Sequence, residues 1–241
     1  MQTVILCGGK GTRAYPHTET LPKPLLEVAG RPILRHVMDI FAAQGYQDFV
    51  LATGYLGDQI EKYAAELPRA WDVTVVDTGE DTNTGARLFR CTEHVGKRFL
   101  ATYGDGLANV QLEDLIAFHR EHHGGATLTT VPLPSQYGTV EASGDGRVHQ
   151  FREKPILDGY WINAGFFVFD RDAFDHWVGE DLEREVLPAL AAAHQLYAYR
   201  HQGFFGSMDT YKDALRLSDL CGEGTPPWLQ LGEPVRRPTS P

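Results

Sequence analysis

Apolar residues form two kinds of pattern along this chain: short continuous runs, and stretches in which they recur at the spacing of a helical face. The run Val4–Cys7 predicts a buried first strand. Ile33–Gln44 carries Ile33, Leu34, Val37, Ile40 and Phe41 on one side of a predicted helix. The pattern then predicts a strand over Phe49–Thr53, a helix over Gly57–Leu67 and a strand over Val73–Asp77. A helix over Thr84–Val95, a strand over Phe99–Tyr103, a helix over Leu112–His122 and a strand over Ala126–Pro132 follow. Strands that alternate with helices in this way predict a parallel or mixed sheet covered by helices.

Beyond Pro132 the texture changes to shorter alternating segments. They predict strands over Gly138–Ala142, Val148–Glu153 and Ile162–Phe169, before helices resume over Asp172–Trp177, Glu183–Ala193 and Met208–Leu220. No low-complexity linker and no internal repeat interrupts the chain, so one continuous sheet is expected. The expected organisation is a single domain over residues 1–231, in two halves at 1–132 and 133–231. Residues 222–241 are rich in Pro and Gly, and 232–241 are expected to form a mobile tail.

Composition narrows the function classes. With 241 residues, 42% hydrophobic and 22% charged, the chain reads as an ordinary globular protein. A net charge of −10 argues against a general nucleic-acid surface. An acidic protein that handles polyanions must gather its cations locally or use a divalent metal. Cys7, Cys91 and Cys221 lie far apart without metal-ligand spacing, which suits a reducing cytoplasm, with Cys7 a small buried strand residue. The ten histidines, His122 and His123 among them, show no metal spacing and are expected at the surface. No apolar run approaches membrane-spanning length, and Met1 leads straight into the first strand, leaving no room for a signal peptide.

The local concentration of cations sits at the start of the chain. The first strand feeds Leu6-Cys7-Gly8-Gly9-Lys10-Gly11-Thr12-Arg13, and Leu21-Pro22-Lys23-Pro24 follows. Glycines let backbone N–H groups turn toward an anion, and the prolines hold Lys23 on a stiff segment. This pattern predicts a nucleoside triphosphate site. It is not a Walker A loop, because no Gly-Lys-[Ser/Thr] follows at the required spacing, and it lacks the third glycine of a dinucleotide fingerprint.

Further along, Tyr103-Gly104-Asp105-Gly106 closes a buried strand. A lone carboxylate there suits Mg²⁺, which takes one or two carboxylates plus phosphate oxygens, or else a glycine-flanked turn. Asp209 is either a cap or first-turn residue of the last helix, a metal ligand, or both. In Phe151-Arg152-Glu153-Lys154-Pro155, Glu153 suits sugar hydroxyls and Lys154 a phosphate; a solvated edge pair is the alternative. Thr82-Asn83-Thr84-Gly85-Ala86-Arg87 opens a helix and suits a base, a phosphate or a simple cap. Asn163, inside an apolar strand, needs a buried partner or a ligand.

In their order these motifs resemble the sugar-1-phosphate nucleotidylyltransferases, from the N-terminus to about Trp228. Within that family the chain is similar to the glucose-1-phosphate cytidylyltransferases in Val76-Asp77-Thr78-Gly79, Thr84-Gly85-Ala86-Arg87, Thr102–Gly106, Asn163–Phe167 and Met208-Asp209-Thr210. The resemblance implies an α/β, Rossmann-like (GT-A-like) fold with a mixed, mainly parallel sheet flanked by helices. It implies a cytoplasmic enzyme that joins a nucleoside triphosphate, with CTP favoured, to a sugar 1-phosphate, with glucose 1-phosphate favoured, and releases pyrophosphate. It assigns Leu6, Gly8, Gly9, Gly11, Thr12, Arg13, Lys23, Thr84, Arg87 and Gly104 to the nucleotide, in the first half. Tyr137, Gly138, Glu153, Lys154 and Asn163 fall to the sugar phosphate, in the second half. Asp105 and Asp209 are implied on Mg²⁺, with Arg13, Lys23 and Asp105 catalytic. A homo-oligomer is implied, to which the apolar residues after Pro226 would contribute, with neither nucleic acid nor membrane as partner.

Two departures stand out. The family's cytidylyltransferases carry a longer segment between the helix near Tyr63 and the strand at Val73, and they tend to read Thr-Gly-Gly-Arg where this chain has Ala86. GTP, dTTP or UTP with another sugar or pseudo-sugar phosphate are the alternative substrates. A non-catalytic sugar-nucleotide sensor would be expected to have lost Lys23 or one of the two acids, all of which are present. A glycosyltransferase would favour Asp-x-Asp, where this chain has Gly-Asp-Gly.

Overall fold

Alternating strands and helices build one central sheet with helices on both faces. The computed structural model describes residues 1–222 and 224–231. Its strands are β1 (Thr3–Leu6), β2 (Glu27–Val28), β3 (Arg31–Pro32), β4 (Asp48–Thr53), β5 (Asp72–Asp77), β6 (Arg98–Tyr103), β7 (Gly106–Ala108), β8 (Ala126–Pro134), β9 (Thr139–Ala142), β10 (Val148–Arg152), β11 (Ile156–Asp170), β12 (Leu196–Arg200) and β13 (Phe205–Ser207). The α-helices are α1 (Ile33–Ala42), α2 (Gly57–Ala64), α3 (Thr84–Arg90), α4 (Leu112–Glu121), α5 (Leu187–Ala192) and α6 (Tyr211–Leu220).

Seven strands pair in the order β12-β8-β11-β6-β1-β4-β5. β6, β1, β4 and β5 run parallel, and β11 is inserted antiparallel between β6 and β8. Alternation along each strand divides the core in two. Ile5, Phe166 and Val168 face one cluster with Leu34, Val37 and Phe41 of α1 and Leu115 of α4. Val4, Phe167 and Phe169 face the other, with Leu88 of α3, Val186 and Leu190. Each such side chain, fully buried, contributes about 1.5–3 kcal/mol.

From β1 the chain steps outward to β4 and β5, then returns to place β6 on the other side of β1. A sheet of this kind opens a crevice at the carboxyl ends of the two strands where the winding reverses, here β1 and β6. The glycine loop and Gly104-Asp105 emerge there.

Several expectations are corrected. The helix expected over Met208–Leu220 begins at Tyr211, because Ser207 still belongs to β13 and Thr210 forms the cap. Asp209 is therefore not the cap. Glu183–Ala193 opens as a wide π turn over Leu182–Val186 and becomes α5 only at Leu187, next to Pro188, which lacks a backbone N–H. Asp172–Trp177 is a 3-10 turn over Arg171–His176, and α3 stops at Arg90, short of Val95. The histidines are not all at the surface. His36 bonds through Nε2 to the Val28 carbonyl, and His119 through Nδ1 to Thr127; both are buried. Trp228, after Pro226, is fully buried against His36 and Phe204 of its own chain, so it is not free for assembly. The tail expected at 232–241 lies outside the described residues.

Candidate functional site

A cleft of about 620 Å³ lies at the carboxyl ends of β1 and β6. Its wall includes Leu6, Gly8, Gly9, Gly11, Thr12 and Arg13 from the first loop, Lys23, Thr84 and Arg87, Gly104 and Asp105, Asn163, and Asp209. The loop after β1 owes its course to glycine at two points. Gly11 takes a left-handed conformation (φ 60°) at the mouth of a 3-10 turn over Thr12–Ala14. Gly8 lies so close to the Arg87 guanidinium that a Cβ would sit 2.1 Å from Nη1.

Lys23 stands on a single 3-10 turn, Lys23–Leu25, begun by the extended Pro22 and closed by Leu25 N–H donating to the Pro22 carbonyl at 2.8 Å. The prolines aim its stem inward, and only 11% of the side chain is exposed. Its Nζ lies 2.5 Å from Asp105 Oδ2 and 3.4 Å from Asp209 Oδ1. Asp209 Oδ1 also meets Arg13 Nη2 at 2.9 Å. Two carboxylates and two cations thus converge around one point.

A short ladder brings the two acids together. β13 pairs antiparallel with β7, Ser207 opposite Gly106, and the next residue, Met208, donates its N–H to the Asp105 carbonyl at 3.0 Å. Thr210 then caps α6 in a reciprocal box with Asp213, whose carboxylate also accepts from the Asp209 N–H at 3.2 Å.

Arg87 has another surrounding. It is buried, and its Nη1 and Nη2 groups donate to the carbonyls of Thr53, Gly79, Gly8 and Glu80 and to Thr78 Oγ1 at 2.7–3.0 Å. Burial pulls its pKa below the usual range, and Arg90 adds to this by repulsion. Arg87 fastens the ends of β1, β4 and β5 to α3. Burial pushes the Cys7 thiol well up, so Cys7 is an inert neutral side chain beneath the loop.

The second wall holds two residues that sequence reasoning missed, Tyr103 and Glu183. The Tyr103 hydroxyl donates to Glu183 Oε1, and Thr84 Oγ1 donates to Glu183 Oε2 at 3.0 Å. Burial, and then the Glu183 charge, push the Tyr103 phenol well up, so it remains a donor. Asn163 Nδ2 reaches the Tyr103 hydroxyl at 3.4 Å, and its Oδ1 accepts from Gly165 N–H at 2.8 Å. A glutamate inside a Glu-Arg-Glu surface string gives no sequence signal of its own.

Tyr137, Gly138, Glu153 and Lys154 are not among the residues lining the cleft. They flank the β9–β10 hairpin, where Tyr137 is 78% exposed and Glu153 lies close to Gly138. Lys154 has a left-handed backbone (φ 45°).

The donor set fits a hard divalent cation. Asp105 and Asp209 offer two carboxylates near one point, and Mg²⁺ takes one or two and completes its shell with water and phosphate. Among the described residues no cluster of three or more His, Cys, Asp or Glu forms a fuller cage.

A doubly wound sheet with cations and paired acids at its switch point defines a site suited to phosphate-bearing ligands and a divalent cation, the class of an α/β nucleotide-handling protein. Comparison with known proteins carries this further. Residues 2–232 match the family described as nucleotidyl transferase. A glucose-1-phosphate cytidylyltransferase of Salmonella typhi is 38% identical over 255 aligned residues, covering 95% of this chain and 98% of that protein. A mannose-1-phosphate guanyltransferase of Gibberella zeae is 32% identical, covering 97% of this chain and 69% of its own length. HddC from Yersinia pseudotuberculosis, solved in complex with GMP-PN, shares the fold with a TM-score of 0.69 at 20% identity, over 90% of this chain and 98% of that one. The chain belongs to the nucleotidyl transferase family, as a sugar-1-phosphate nucleotidylyltransferase that makes a nucleoside diphosphate sugar from a nucleoside triphosphate and a sugar 1-phosphate. Enzymes of this family generally use a divalent metal. No helix among the described residues is long and apolar enough to cross a membrane.

Proposed function

We propose that this enzyme is a glucose-1-phosphate cytidylyltransferase working with Mg²⁺. The observation that carries the chemistry is the convergence of Lys23 and Arg13 on the paired carboxylates of Asp105 and Asp209. The preference for CTP and glucose rests on relatives such as the Salmonella typhi protein. Asp105 and Asp209 hold the metal, which neutralises phosphate charge when bound. Arg13 and Lys23 take the triphosphate, with the backbone of Gly8–Thr12 around it and Gly104 beside it, and Thr84 lies near the nucleotide or the product. Asn163 and the hairpin residues Tyr137, Gly138, Glu153 and Lys154 receive the sugar phosphate, Lys154 on its phosphate. A phosphate oxygen of the sugar attacks the α-phosphorus in line, and the bond to pyrophosphate breaks. Positioning and charge neutralisation supply most of the rate.

The enzyme is further proposed to act in the cytoplasm as a homo-oligomer. The exposed apolar hairpin residues Val140, Val148 and Phe151 support the assembly, and light scattering of the purified protein tests it.

The deciding experiment is pyrophosphate release with Mg²⁺, crossing CTP, UTP, dTTP, GTP and ATP with glucose 1-phosphate and mannose 1-phosphate. Release from CTP and glucose 1-phosphate is expected. Release from GTP and mannose 1-phosphate would replace the specificity with that of the guanyltransferase relatives, and silence over the whole grid would overturn the reading.

A further inference from the structure

The cleft has two chemical poles. At one, the carboxylates of Asp105 and Asp209 face Lys23 and Arg13. At the other, Glu183 faces hydroxyls only, those of Tyr103 and Thr84, and among the described residues no Lys, Arg or His nitrogen pairs with it. A carboxylate without a cation repels phosphate, so the two phosphate-bearing substrates cannot direct their charged ends there. An ionised carboxylate has about four lone-pair sites. Two are occupied by the neighbouring hydroxyls, which leaves acceptor capacity at an exposed side chain on the cleft wall.

The neighbours reinforce this polarity. Tyr103 and Thr84 spend their protons on Glu183, so neither hydroxyl keeps a proton to donate to a ligand. Thr84 Oγ1 also accepts from the Leu182 N–H at 3.0 Å, which ties the turn bearing Glu183 to the start of α3. Tyr103 is also two residues from Asp105 and in reach of Asn163, so the pole lies beside the reacting centre and not at its far rim.

We infer that Glu183, held by Tyr103 and Thr84, is a specificity residue that accepts hydrogen bonds from hydroxyl groups of the hexose in the sugar 1-phosphate. This deepens the proposed function and rests on it. The shape of Glu183→Gln is unchanged, but one acceptor becomes a donor.

The test is steady-state kinetics of wild type and Glu183→Gln with CTP and glucose 1-phosphate, repeated with the series of singly deoxygenated glucose 1-phosphates. The KM for the sugar phosphate should rise about 10- to 100-fold, the worth of a hydrogen bond to a charged acceptor, while the KM for CTP moves less than about twofold. Wild type should discriminate strongly against loss of one particular hydroxyl, and Glu183→Gln should lose that discrimination, an outcome that a merely structural role would not produce. Tyr103→Phe, which keeps the ring and removes the hydroxyl that orients Glu183, should show the same pattern more weakly and stands in if Glu183→Gln does not fold. Undiminished discrimination in the variants, or a KM rise confined to CTP, would overturn the assignment and leave the activity standing. A wild-type enzyme inactive on every hexose 1-phosphate would overturn both.

Discussion

Arg87 is a cation whose two guanidinium amino groups are engaged by five neutral acceptors beneath the glycine loop. Arg87→Ala would strand several buried carbonyls, each costing about 1–3 kcal/mol. The expected result is a drop of about 3 kcal/mol or more in unfolding free energy by urea titration, with nucleotide affinity falling as well. Gly8→Ala should reproduce part of both losses, because its Cβ would collide with a guanidinium that its five bonds hold in place. Lys23 behaves in the opposite way. Its amine serves the cleft, so Lys23→Ala should lower kcat about 10²- to 10³-fold while the thermal midpoint stays within a few degrees. A Lys23→Ala enzyme with wild-type turnover would remove Lys23 from catalysis. Both cations are legible in the sequence, but their different tasks are not: Arg87 becomes a strut only because β4 and β5 end beside it.

At the scale of elements, the site depends on the small β7–β13 ladder and the cap that follows it. Thr210→Ala removes the capping hydroxyl and should cost about 1 kcal/mol. It also loosens the segment that presents Asp209, so half-maximal activity should require more Mg²⁺ than in wild type. An unchanged Mg²⁺ titration would show that Asp209 is held by β13 alone. The ladder was invisible in the sequence because Gly106–Ala108 and Phe205–Ser207 are too short to show periodicity. β12 escaped for another reason: as an edge strand it is only half covered, so Leu196–Arg200 shows no clean alternation. The long buried strands and α1 were legible because burial on one or both faces writes its period into the residues.

The whole molecule couples its stability to pH through groups remote from the cleft. His119 is sealed between α4 and the sheet, near Thr127 and Asp170, and burial pushes its pKa down to about 4. In the unfolded chain it titrates near 6.5. Between these values the unfolded state takes up a proton that the native state refuses, so stability falls as pH drops from 6.5 to 4. Burial pushes Asp170 up, but Arg98, bonded to both its oxygens, together with His119 outweighs this and holds it below the usual range. Its contribution is lost on further acidification, with the same sign. Burial lowers His36, His122 and His201 as well. The urea midpoint should therefore be lower at pH 5 than at pH 7.5, and His119→Gln should flatten part of that slope. A flat profile in wild type would contradict the burial of these rings. The sequence shows ten histidines but not which of them the sheet covers.

The ladder between β7 and β13 also has a consequence in time. Synthesis proceeds from the N-terminus at about 5–20 residues per second. Arg13, Lys23 and Asp105 therefore leave the ribosome seconds before Asp209 does. A nascent chain already has both cations and one acid of the cleft, yet it lacks the second acid until β13 and the residues just after it have been made. On the proposed assignment of both acids to the metal, the capacity to make sugar nucleotides waits for this late segment, and chains cut short before Asp209 are expected to release no pyrophosphate.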